Sequence, residues 1–287
     1  MHSTNDLKNR VASYPLQRDF QASIRLYFQH WMWRRQLGYL LHPKISVQEN
    51  FRVADLACGT GLTLQQRIWL LDLAKEYPGV QCDGYDISTD QYPAAGWLPP
   101  NVKLDTLDIH KPIPDALRGQ YDIVHVGLLV LVIENDDPTP IVENLMALLK
   151  PGGYLQWDES DFGGLVTSSP SKDISHAALE EVKQRTLGIL LSAKGLKFEW
   201  VRDLQHYFQE GGFQVIDNKF MPISDDIALP WTLQHLMAFV EFVRRLDDPV
   251  GSAAEWWEVY EKAADETIRG ASMRMAMASI VGRKPIA

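Results

Sequence analysis

Short, nearly continuous apolar runs alternate along this chain with longer stretches whose apolar residues recur every three or four positions. Residues 51–54, 82–87, 102–109, 121–127 and 154–157 read as strands. The run Tyr121-Asp122-Ile123-Val124-His125-Val126-Gly127 is almost unbroken, as expected of a strand buried on both faces of a parallel sheet. Residues 62–74, apolar at Leu64, Ile68, Leu71 and Leu73, and residues 138–149 read as helices between strands. Pro151-Gly152-Gly153 ends the second of these and turns the chain into the fifth strand. Such alternation predicts an α/β fold with helices covering a mainly parallel sheet. Upstream, residues 18–41 predict a helix with Phe20, Ile24, Tyr27, Phe28 and Trp31 on one apolar packing face. Downstream, residues 175–191 and 200–209 read as helices, and Glu210-Gly211-Gly212-Phe213 turns into a strand at 214–216. Residues 224–269, rich in aromatics, read as an inserted helical cap before a last strand at 273–283.

The chemistry starts where the first strand ends, at Asp55-Leu56-Ala57-Cys58-Gly59-Thr60-Gly61. A strand, a glycine turn and a helix make a nucleotide cradle. The glycines bend tightly and admit a ligand, and the helix N-terminus offers unpaired N–H groups. Position 64 is Leu, so the G-x-G-x-x-G of dinucleotide folds is absent, and so is the G-x-x-x-x-G-K-[ST] of P-loops. The second strand ends at Asp86, whose two carboxylate oxygens suit a ribose diol. Asp83, inside that strand, is the lesser alternative.

These signals, followed by Asp108 after the third strand and Leu149-Lys150-Pro151-Gly152-Gly153-Tyr154-Leu155 before the fifth, resemble class I S-adenosylmethionine-dependent methyltransferases. The resemblance implies a Rossmann-like fold: a seven-stranded sheet with an antiparallel last strand, an N-terminal helical lid and helical cap insertions. It implies S-adenosylmethionine as cofactor, held by Asp55, Ala57, Gly59, Gly61, Asp86, Ile87, Asp108, Ile109 and Val126. Asp108 would accept from the adenine amino group, with Ile87 and Ile109 about the ring. Leu128-Leu129-Val130 replaces the N/D-P-P-Y of enzymes that methylate nucleobase amino groups. Tyr14-Pro15-Leu16-Gln17-Arg18-Asp19 with Arg25-Leu26-Tyr27-Phe28-Gln29-His30 resembles methyltransferases of fungal secondary metabolism, including relatives of a global regulator. That pattern implies a lid in which Arg25 meets the methionyl carboxylate and Tyr14 or His30 approaches the sulfonium or the substrate.

His30, Asp158, Glu159 and His125 are the candidate bases should the acceptor need to lose a proton, with His235 beside them. A histidine inside a strand, such as His125, is more often a core residue. Trp157, Trp231, Tyr27 and His235 are candidate contacts for a flat organic acceptor. The expected activity is methyl transfer to a small apolar or aromatic natural product, with oxygen ranked first. The alternatives are a repurposed cyclase or dehydratase of the same fold and a non-catalytic regulator.

Composition narrows the classes. A net charge of −9 without a basic stripe disfavours nucleic acid. No 18-residue apolar run predicts a membrane span, and the first residues lack a signal-peptide apolar core. Two cysteines, Cys58 and Cys82, build neither a disulfide scaffold nor a zinc site. No metal is expected, and a cytoplasmic protein with a small-molecule partner, possible as a homodimer, is. The organisation expected is a lid (1–45), a cofactor-binding core (46–160), remaining core elements with the cap (161–272) and a final strand (273–287).

Overall fold

A computed structural model describes residue 16 and residues 20–57, 68–88, 95–245 and 253–286. Five parallel strands come first: β1 (Arg52–Leu56), β2 (Gln81–Asp86), β3 (Val102–Thr106), β4 (Tyr121–Gly127) and β5 (Leu149–Ser160). A short β6 (Val166–Ser168), then β7 (Gln214–Pro222), β8 (Ser272–Arg274) and β9 (Ala276–Arg283) follow. The main sheet has seven strands in the order β3-β2-β1-β4-β5-β9-β7, and β6 and β8 form a separate pair. The last strand, β9, runs antiparallel to both β5 and β7, as expected. The helices are α1 (Phe20–Leu37), α2 (Ile68–Glu76), α3 (Thr139–Leu148), α4 (Ala177–Lys194), α5 (Leu204–Glu210), α6 (Asp225–Arg245) and α7 (Ala253–Ile268).

Strand alternation divides the core between the two sheet faces. Val53, Cys82 and Ile123 pack with Leu70 and Leu73 of α2. Ala54, Val124 and Val126 point the other way, onto Leu145 and Leu148 of α3. A separate apolar cluster joins the lid to the cap through Met32, Trp33, Val182, Trp231, Phe239 and Trp256. No described helix is long and apolar enough to cross a membrane.

Two local expectations are corrected. The fifth strand begins at Leu149 rather than Tyr154: Tyr121 pairs with Leu149 and Ile123 with Tyr154, so Lys150-Pro151-Gly152-Gly153 is an irregularity within β5. Gly152 has φ +79°, a conformation that suits glycine. The apolar face read on α1 is also not its packing face. Ile24, Tyr27 and Trp31 are exposed, while Ala22, Ser23, Arg25, Met32 and Trp33 are buried. The helix lies against α6 and α2, and small Ala22 and Ser23 let the first of these come close. Partner geometry, rather than local hydrophobicity, chose the buried side.

Candidate active site

The strand order reverses between β1 and β4, which opens a crevice at the carboxyl ends of the strands. A cavity of about 670 Å³ lies there. That is within the range of sites for small molecules, roughly 300–1,000 Å³. Asp55 and Ala57 of the β1 end, Asp86 and Ile87 of the β2 end, and Asp108 and Ile109 beyond β3 line one part of it. The lid contributes Arg25 and His30, and the cap contributes Gln234, His235 and Phe239. Asp86 is 6% exposed, at the end of β2, and accepts from the backbone N–H of Ser88 at 3.2 Å. Asp83, the lesser alternative, is held away from this role by Arg52 at 2.6 Å and the Tyr121 hydroxyl at 3.0 Å. Tyr14, Gly59 and Gly61 lie outside the described residues.

The switch point carries a charged network that the sequence does not announce. His125 stands beside Asp55 in the β1–β4 register. Its Nδ1 is 2.7 Å from Asp55 Oδ1 and its Nε2 is 3.2 Å from Asp158 Oδ2. Trp69 stacks on the ring at 3.8 Å, nearly parallel. Asp158 also accepts from Gln156 Nε2 at 2.8 Å and from the Ser279 hydroxyl at 2.6 Å. Burial opposes charge on His125, but Asp158 and Asp55 outweigh it and push its pKa up to about 9. His125 is therefore an imidazolium at neutral pH, with no lone pair with which to act as a base.

The other candidate bases differ. Burial pulls His30 below its ordinary value, although Asp72 pulls the other way from 3.2 Å. His235 is pulled down to about 4, chiefly by burial. Its Nδ1 lies 2.8 Å from the Trp231 carbonyl, which can only accept, so Nδ1 carries the proton and Nε2 is bare. Glu159 is a correction: it is fully buried and does not line the cavity. It accepts from the backbone N–H of Leu129 and Ser160 and from Trp157 Nε1, and so anchors the turn after β4. Burial first of all raises its pKa to about 7.

Further corrections follow from packing. Trp157 and Trp231 are fully buried in two different cores and line no part of the cavity. Large rings fill space between layers, which is the commoner use of a tryptophan. Tyr27 is 48% exposed on the outer side of the lid. Val126 is likewise core rather than cavity wall, because its side chain points from β4 toward α3. Arg25 does face the cavity, but Glu241 of α6 already holds it, at 2.7 Å through Nε and 3.3 Å through Nη2. The methionyl carboxylate expected there meets a guanidinium that is already paired.

Residues 54–155 match a family model described as a methyltransferase domain. Over these residues the chain is similar to a methyltransferase domain. Around it, similarity extends to the methyltransferase grgD of a Penicillium species, 34% identical over 163 residues that cover 55% of this chain and 56% of that protein. The match thus spans little more than half of that relative. The N-methyltransferase gliN of Aspergillus fumigatus is 26% identical over 258 residues, 84% of this chain and 86% of gliN. The crystal structure of the [4+2]-cyclase SpnF shares the fold of this chain, with a TM-score of 0.51 at 18% identity over 99% of this chain and 93% of SpnF.

The network residues Trp69 and Gln156, and Gln234 of the cap, escaped the sequence reading. An aspartate and a histidine at matching depths in the first and fourth strands were the only hint of the network.

Proposed function

We propose that this chain transfers a methyl group from S-adenosylmethionine to a small, largely apolar acceptor held beneath the cap. The observation that carries this reading is a single cavity with two unlike ends. Acids at the ends of the first strands, Asp86 buried and Asp108 partly so, face one end, and α4 and α6 at the other bring the apolar Val182, Leu187 and Phe239 alongside the polar Gln234 and His235. The acids suit the hydroxyl and amino groups of a nucleoside: Asp86 the ribose diol and Asp108 the adenine amino group, with Ile87 and Ile109 about the ring. When bound, S-adenosylmethionine supplies an electrophilic methyl group on a positively charged sulfur. The protein's part is to hold the acceptor atom in line with it and to exclude water.

Two considerations move nitrogen ahead of oxygen as the accepting atom. The cap end offers His235 as its base, and a group with a pKa of about 4 is poorly matched to a hydroxyl. A neutral nitrogen with a lone pair attacks without prior deprotonation. The similarity to gliN, an N-methyltransferase, supports the same choice.

The test is calorimetric titration with S-adenosylmethionine, then incubation with methyl-labelled cofactor and a panel of amines and phenols. Saturable binding with label in the product supports the reading. Absent cofactor binding overturns it, and turnover without label points to the cyclase alternative. Asp86→Ala is expected to weaken cofactor binding by ~1–3 kcal/mol, the usual loss for a charged hydrogen-bonding group. Unchanged affinity in that titration would remove Asp86 from the ribose site.

A further inference from the structure

Gln234 stands out among the polar side chains of the cavity. It is 2% exposed, it lines the cavity, and its Oε1 has no hydrogen-bond partner among the described residues. A carboxamide carries two donors and an acceptor oxygen, and buried groups of this kind are nearly always satisfied. The next residue, His235, faces the same cavity with Nε2 bare, because its Nδ1 is committed to the Trp231 carbonyl. Trp33, across on α1, also lines the cavity, and its indole N–H has no partner among the described residues. Gln234 and His235, adjacent on α6, thus bring unmet hydrogen-bonding capacity to the cavity side by side.

Two cations that line the same cavity, from α1 and α4, are already matched. Arg25 is paired with Glu241 at 2.7 Å and Lys183 with Glu180 at 2.7 Å. An anionic ligand would find both of these cations already neutralised, whereas an uncharged one does not need them. Phe162, 5.6 Å from the His235 ring, and Phe239 supply apolar surface around these polar groups.

We propose that Gln234 is the anchor of the acceptor subsite: its carboxamide, with Nε2 of His235, hydrogen bonds an uncharged acceptor that presents a donor group beside an acceptor group. Naming the occupant a methyl acceptor rests on the proposed methyl transfer; the subsite itself rests on Gln234, His235 and the paired charges.

The test uses 2-quinolone, an uncharged bicycle with an N–H beside a carbonyl, titrated into the full chain with and without S-adenosylhomocysteine. Two controls share its shape: 1-methyl-2-quinolone, which has lost the donor, and quinoline-2-carboxylate, which is charged. The wild-type chain is expected to bind 2-quinolone at least fivefold more tightly than either control. Gln234→Met, which keeps side-chain length, is expected to erase that preference without changing affinity for S-adenosylhomocysteine. No saturable 2-quinolone binding to the wild-type chain, equal binding of the three probes, or an undiminished preference in a folded Gln234→Met variant each overturns the proposal. A buried water satisfying Gln234 would give the last of these results. The wild-type comparison of probes does not depend on the variant folding. If S-adenosylhomocysteine does not bind while the 2-quinolone preference persists, methyl transfer fails and the subsite stands.

Discussion

Replacing His125 by leucine is expected to lower the free energy of unfolding by roughly 3–5 kcal/mol, the usual loss when one partner of a buried charged set is removed. The variant leaves Asp55 and Asp158 facing each other across an apolar side chain, both more than nine-tenths buried. The effect depends on pH. The folded-state pKa of His125 is about 9 and its ordinary value is 6.5. A raised histidine pKa means that the folded state holds the proton more tightly. The stability it contributes is complete below pH 6.5 and is lost as pH rises through 9. A shift of this size corresponds to about 3 kcal/mol. Glu159, raised from 4.5 to about 7, acts in the same sense at lower pH, losing stability as pH rises from 4.5 to 7. His235, lowered from 6.5 to about 4, acts in the opposite sense, losing stability as pH falls through that window. The last two largely offset each other below pH 6.5, so the alkaline slope from pH 6.5 to 9 belongs to His125. Urea unfolding at pH 6.5 and pH 9 measures it. A flat wild-type profile, or a leucine variant that keeps the slope, would reject the charged network.

Arg25→Met is expected to cost a similar amount, roughly 3–5 kcal/mol, before any ligand is added. It strands Glu241, which is 3% exposed, within the contact between lid and cap. Adding Glu241→Leu to Arg25→Met is expected to recover most of the loss, because replacing both members of a buried pair by apolar groups is often close to neutral. A double-variant cycle by urea unfolding separates this from a ligand-binding role. If Arg25→Met unfolds like the wild-type chain and only cofactor affinity falls, the guanidinium serves the methionyl carboxylate and the ion pair is incidental.

The corrected residues share a cause. Trp157, Trp231 and Tyr27 look alike in a sequence, as aromatic residues near expected pocket edges. One sits at the centre of the sheet core, one at the lid–cap core and one at the surface, because layer packing assigns each ring its side. Arg25 shows the same limit from the charged side. Its partner is 216 residues away, beyond any local spacing rule. By contrast, Asp86 and Asp108 were legible, because the end of a strand in a doubly wound sheet faces the crevice whatever surrounds it.

Local periodicity was enough to determine most strands of the main sheet, and the family resemblance of the ordered motifs implied the seven-stranded sheet with its antiparallel last strand and the acids at the crevice. Hydrophobic alternation and chain connectivity are short-range properties written residue by residue. Only the tertiary structure decided that His125 is shared by two carboxylates, that Arg25 is paired with Glu241, and that Gln234 faces a cavity with its Oε1 unpartnered among the described residues. Each depends on which distant side chain comes within about 3 Å, the reach of a hydrogen bond, and packing of the lid and cap sets that.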